Sequence, residues 1–167
     1  MEPLEVTLTA LRVWLGVVML AHGINHGRNL SGTEAWFAKK GFEQARLQAI
    51  LSSAGEIAIG VGLLFGFLTS LAAAALVVPM VVAFGAIHRF AGFFVFARPD
   101  EGWEYVATLA VAATVVATGG GGPVSVDALL GLQDTLTGWP GVGLVAGAAV
   151  LGWLQLLVFW RNPDASA

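Results

Sequence analysis

A chain of 167 residues that is 57% hydrophobic and only 11% charged, with a mean hydropathy of +0.79, belongs in a membrane, because soluble domains carry roughly 25% charged residues. A formal charge of −3 with scattered basic residues excludes nucleic acid as a partner. The absence of cysteine excludes disulfides, thiol redox catalysis and thiolate ligation of iron–sulfur or zinc within this chain.

The acidic start MEPLEV runs straight into the apolar stretch Leu8–Ala21, which contains Arg12. No basic segment precedes it and no small-residue cleavage site follows, so it reads as a retained helix over about residues 4–26. Residues 27–48 are the most polar of the chain. Within them Thr33–Lys40 and Glu43–Ile50 mix charges with Trp36, Phe37, Phe42 and Leu47, the pattern of short interfacial helices.

From Ile50 to Ile87 the only charge is Glu56. That run is too long for one span of ~20 residues, so it must be a hairpin. The pattern predicts a second helix over about 49–68 and a third over about 71–90, with Pro79 disturbing the latter. The stretch Ala49–Leu68 reads as the central helix. It holds Glu56 and small residues at Ala54, Ala58, Gly62 and Gly66, a stripe suited to close packing.

His88 and Arg89 end the third helix, and Phe90, Phe93, Phe94 and Phe96 follow as an interfacial aromatic belt. A polar loop, Arg98–Glu101, leads to a fourth helix over about 103–118. Four glycines and Pro123 then stop the chain, and Ser125 N-caps a short amphipathic turn over Val126–Leu136. A fifth apolar run, Gly141–Trp160, carries Gly143 and Gly147 in a GxxxG pair. The expected fold is all-α, an integral membrane helical bundle of five spans.

With five spans, Arg28, Lys39, Lys40, Arg46, Arg89, Arg98 and Arg161 share one side, and Arg12 alone lies towards the other. Basic residues favour the cytoplasm, which puts the N-terminus outside and the C-terminus inside. At ~1.5 Å per residue, His22, Glu56 and His88 lie about 5–10 Å inside the cytoplasmic ends of their helices. His26 and Glu104 sit closer to that surface, and His22 and His26 share a helix face.

These groups predict a cavity in which Glu56 has His22 or His88 as neighbours, and two readings of it stand. Either the cluster locks the helices together by hydrogen bonding, or it is a proton-coupled or quinone-headgroup site. His22 and His26 at H-x-x-x-H spacing lack a fixed second pair, so no metal is expected. Arg12 is expected to meet Asp127, or the Ser125 hydroxyl, and with Asp127 to form a structural ion pair, because a buried guanidinium is normally met by a carboxylate.

Arg12, His22-Gly23, Gly41-Phe42, Gly55-Glu56 with Gly60, Gly62, Gly66 and Thr69, and the closing Gly122-Pro123-Val124-Ser125-Val126-Asp127 together resemble the DoxX family of small bacterial membrane proteins. The resemblance covers residues 8–127. It implies four DoxX-like helices over 1–137, with 138–167 as an additional C-terminal transmembrane helix and short tail. It also implies a bacterial inner-membrane location and association with quinone-linked or sulfur-related oxidoreductase systems. By resemblance Arg12, Glu56, Ser125 and Asp127, with the loop residues Gly122 and Pro123, are the positions that matter. The added glycine-bearing helix departs from the four-helix pattern and reads as a docking surface for another membrane subunit.

Three functions follow as expectations. The first is an accessory or membrane-anchor subunit of a respiratory, quinone-linked oxidoreductase complex. The second is a quinone-reactive oxidoreductase in its own right, and the third a small-solute or proton transporter. No inverted repeat relates the two halves, which disfavours the third. No cofactor beyond a quinone is indicated, and the partners are the lipid bilayer and other membrane subunits.

Overall fold

The structure, a computed structural model, describes residues 2–96 and 101–163. Among them the elements are helical: α1 (Pro3–Arg28), α2 (Leu30–Lys39), α3 (Ala45–Phe65), α4 (Thr69–Ala86), a 3₁₀ turn (His88–Phe90), α5 (Glu104–Gly119), α6 (Val126–Leu129) and α7 (Trp139–Phe159). Helices α1, α3, α4 and α7 are long and apolar enough to cross a membrane. The 16 residues of α5 reach only ~24 Å at the α-helical rise, less than the ~30 Å of a hydrocarbon core. The chain is an all-α membrane bundle.

Several boundaries differ from the sequence pattern, for local reasons. The stretch Glu43–Ile50 is not a separate interfacial helix. Gln44 adopts a left-handed conformation (φ 51°), and α3 starts at once from Ala45. At its other end α3 stops at Gly66 (φ 65°), where a Cβ would lie 2.7 Å from Arg12 Nη1 and against the Ser125 side chain. Only glycine meets both the positive φ and that close approach. Helix α4 therefore starts two residues earlier than expected and ends at Ala86, so His88 sits in the 3₁₀ turn beyond it.

The central helix is α4 and not α3. Half of the α4 span is buried, against a third of the α3 span, and α4 packs on α5, α7 and α3. Its Ala73, Ala74, Leu76 and Val77 form one core with Leu15, Met19, Leu63, Ala113 and Val116.

Helix α3 pairs chiefly with α1, but not through the expected stripe, since Ala54 and Ala58 are exposed. The close crossing uses other glycines. A Cβ on Gly16 would lie 2.8 Å from Leu64 N, one on Gly23 would lie 2.8 Å from Ile57 N, and one on Gly60 would lie 2.7 Å from Leu20 N. Backbones that approach so closely gain dispersion contact, which drives association in lipid.

The C-terminal end of α7 is fastened to the α2–α3 connection. Glu43 N donates to Phe159 O (2.7 Å), Arg161 N to Gly41 O (2.9 Å) and Trp160 Nε1 to Lys40 O (2.8 Å). Phe42 and Trp160 thereby form a one-residue β-bridge. Gly41 (φ 86°) leaves room for the Arg161 carbonyl. This clamp closes the same end of the bundle that holds α2, the start of α3 and the end of α4.

Candidate functional site

Charge is handled differently at the two ends of the bundle. At the end away from the clamp, Arg12 is 1% exposed. Its Nη1 donates to the carbonyls of Leu63 and Leu64, and its Nη2 to Val124 O (2.7 Å). Asp127 accepts from Leu68 N and Thr69 N, both at 2.8 Å. The expected ion pair between Arg12 and Asp127 is thus replaced by hydrogen bonds from each residue to a helix end. The cation takes carbonyls at the C-terminus of α3, and the anion takes the free N–H groups at the N-terminus of α4.

The loop residues complete this end. Ser125 Oγ donates to Gly122 O (2.7 Å) and accepts from Ala128 N (3.1 Å), capping α6 as its sequence position predicts. Gly122 has φ 73° and runs close to Thr9, while Pro123 is exposed.

At the clamped end, Glu56 is 7% exposed, and it meets His26. His26 Nδ1 lies 3.0 Å from Glu56 Oε2, and Ser52 Oγ donates to Glu56 Oε1 at 2.8 Å. Ser52 Oγ is also 3.4 Å from His26 Nδ1, so the three groups form one cluster. The helical pitch explains it: Ser52 and Glu56 stand one turn apart on α3, facing the last turns of α1. The imidazole partner is therefore His26, not His22 or His88. His22 stacks edge-on against His26, ring centroids 6.2 Å apart.

Two cavities meet at this pair. The first, of about 430 Å³, is lined by His22, His26, Glu56, His88, Lys40, Glu101 and Tyr105, with apolar residues of α4 and α5. His88 faces it from the 3₁₀ turn, with its Nδ1 2.6 Å from Glu101 O. Glu104 is not on its wall. It sits at the start of α5, where Oε2 accepts from Val95 N (3.1 Å) and ties down the aromatic loop.

The second cavity, of about 320 Å³, is an apolar slot between α3, α4 and α7. Its walls include Phe37, Phe42, Leu51, Ile59, Val78 and Val82, and its polar groups are His26, Ser52, Glu56, Gln48 and Gln155. Pro79 lines both cavities. Having no N–H, it leaves the Ala75 carbonyl without a helical donor, and Ala75 also faces the slot. A third, polar depression of Asn25, Asn29, Gly32 and Thr33 adjoins His26 and Trp36 from outside.

A carboxylate in this setting needs a partner, and an imidazole can pass it a proton. His26 borders all three spaces, so a proton on this pair has polar surroundings on one side and an apolar chamber on the other. Ser52, Gln48 and Gln155 are the site residues that the sequence reading missed. The first two stand four and eight residues before Glu56, a spacing that places them on its face of α3. Gln155 carries no such signal.

Among protein-family models, DoxX matches residues 7–89, from α1 through the 3₁₀ turn. The matched stretch holds His22, His26, Gln48, Ser52, Glu56 and His88, while α5 and α7 lie beyond it. No curated protein and no solved structure matches the chain.

Proposed function

Since this chain belongs to the DoxX family of membrane proteins, and since its buried acid–imidazole pair stands between an apolar slot and polar openings, we propose that it binds a lipophilic, quinone-class ligand and exchanges protons with its headgroup. The observation that carries this reading is that His26 and Glu56 line both cavities at once. A quinone reduced to a quinol takes up electrons and protons together. The pair supplies or accepts the protons, and the electrons come from a partner oxidoreductase subunit, because a Cys-free chain has no thiol couple of its own. The chain then acts as the membrane subunit of a quinone-linked complex in the bacterial inner membrane.

Charge supports the orientation. Seven of the eight Lys and Arg residues flank the clamped end, Arg98 among them in sequence although it lies outside the described residues. That end faces the cytoplasm and the N-terminus faces outward. The proton-exchanging pair thus lies near the cytoplasmic surface.

The test uses Trp36, which lines the slot, as the reporter. Decylubiquinone titrated into the purified protein in mild detergent is expected to quench its fluorescence saturably, and Trp36→Phe to remove most of that quench. Gly55→Leu is the decisive variant. A Cβ at Gly55 meets nothing within 4 Å, so the added side chain fills the slot while helix propensity rises. Gly55→Leu should melt no lower than the parent and lose saturable quenching. Equal binding by that variant would refute the proposal.

A further inference from the structure

The slot carries a polar group that the acid–imidazole cluster does not use. Gln155 of α7 donates from Nε2 to Gln48 Oε1 of α3 at 2.8 Å. Gln48 is 1% exposed, and its own Nε2 has no partner. Both residues line the apolar slot, with Gln48 Nε2 itself covered by its neighbours. An N–H left unsatisfied in such surroundings is costly unless something in the chamber accepts from it.

Gln48, Ser52 and Glu56 stand at i, i+4 and i+8 on one face of α3, so the amide and the carboxylate sit two turns, or ~12 Å along the axis, apart. The side chains reach into the slot from both ends of that interval. Between them the walls are hydrocarbon, supplied by Leu51, Ile59, Val78 and Val82.

We infer that the Gln48–Gln155 amide pair is a second polar anchor of the slot, holding the far oxygen of a flat, lipophilic ligand whose near oxygen meets Glu56 and His26. This rests on the proposed function and specifies it: the ligand class is a ring with two opposed hydrogen-bonding oxygens. Gln48, whose Nε2 is covered and unpartnered, turns that donor to the far oxygen when the ligand enters, while Gln155 holds the Gln48 Oε1. Helix α7, beyond the family match, thereby becomes part of the binding site.

The experiment compares 1,4-naphthoquinone with 1-tetralone, which keeps the fused ring and one oxygen. Dissociation constants are read from fluorescence quenching or ligand competition. The parent protein is expected to prefer naphthoquinone by about tenfold, the worth of one good hydrogen bond in a dry site. In Gln48→Leu that preference should fall to near unity, with tetralone binding unchanged. Gln155→Leu, which frees the Gln48 amide to turn, should lower it part of the way.

If the amide pair only fastens α7 to α3, both variants lose thermal stability but keep the preference, and the inference fails. Should Gln48→Leu not fold, Gln155→Leu and the parent's ligand preference still decide. A parent protein that binds neither compound overturns the proposed function itself. One that binds both equally, with Glu56→Gln weakening each, overturns the second anchor alone.

Discussion

Arg12 and Asp127 hold the two sides of one hairpin turn without bonding to each other: Arg12 closes the C-terminus of α3, and Asp127 caps the N-terminus of α4. Removing either leaves backbone groups of its own helix end unpaired. Arg12→Ala should be strongly destabilising, by about 3 kcal/mol or more, since hydrogen bonds to a charged donor are worth ~1.5–3 kcal/mol each. The double change of Arg12→Leu with Asp127→Leu should recover nothing and melt no higher than the worse single variant. Recovery in the double variant would mean that the two charges matter mainly to each other.

Glu56 separates chemistry from packing. Glu56→Gln keeps the volume and an acceptor for Ser52 but removes the charge that faces His26. It should hold the melting temperature within a few degrees while abolishing quinone-linked activity of the assembled complex. Glu56→Leu strands the Ser52 hydroxyl and His26, and it should lower the melting temperature. Full activity in Glu56→Gln would reduce the pair to interhelical glue.

The crossing of α1 and α3 gives a contrast between glycines and alanines. Gly16→Val places its branched side chain against Leu64 N and Gly60 O, and Gly60→Val meets Leu20 N. These are backbone atoms and cannot yield, so both variants should fail to accumulate as folded protein. Ala54→Leu and Ala58→Leu, on the exposed side of α3, should be tolerated. Yields after detergent size-exclusion chromatography measure the difference, and the opposite ranking would place the helix contact on the other face.

Topology is tested by thiol labelling in a Cys-free background. Lys39→Cys and Gln133→Cys are exposed sites on opposite ends of the bundle. An impermeant maleimide added to intact cells should label Gln133→Cys and spare Lys39→Cys. The reverse pattern would invert the assigned orientation.

The bundle was legible because apolar runs of membrane length leave few alternatives. Helix ends were less so, since positive φ at Gln44, Leu68 and Gly66 is set by tertiary contacts that no local pattern shows. Glu56 stood out as a lone charge in a long apolar run, yet choosing His26 over His22 depended on the rotation of α1 about its axis. Small residues on α3 were misassigned for a similar reason: four periodic positions looked like a seam, whereas the real contact is written in pairs across two helices. Gln155 was invisible, because a single amide in an apolar helix signals nothing until its partner 107 residues away is known.

The clamp between Phe42 and Trp160 also bears on the order in which the molecule is made. Among the described residues α7 comes after the other helices, so α1 to α5 are synthesised before one wall of the slot exists. In that interval the Gln48 amide lacks its partner from α7. Arrival of α7 brings Gln155 to Gln48 and pairs Arg161 with Gly41. The α7 wall of the slot is therefore acquired last, after every segment matched by the family model has been made.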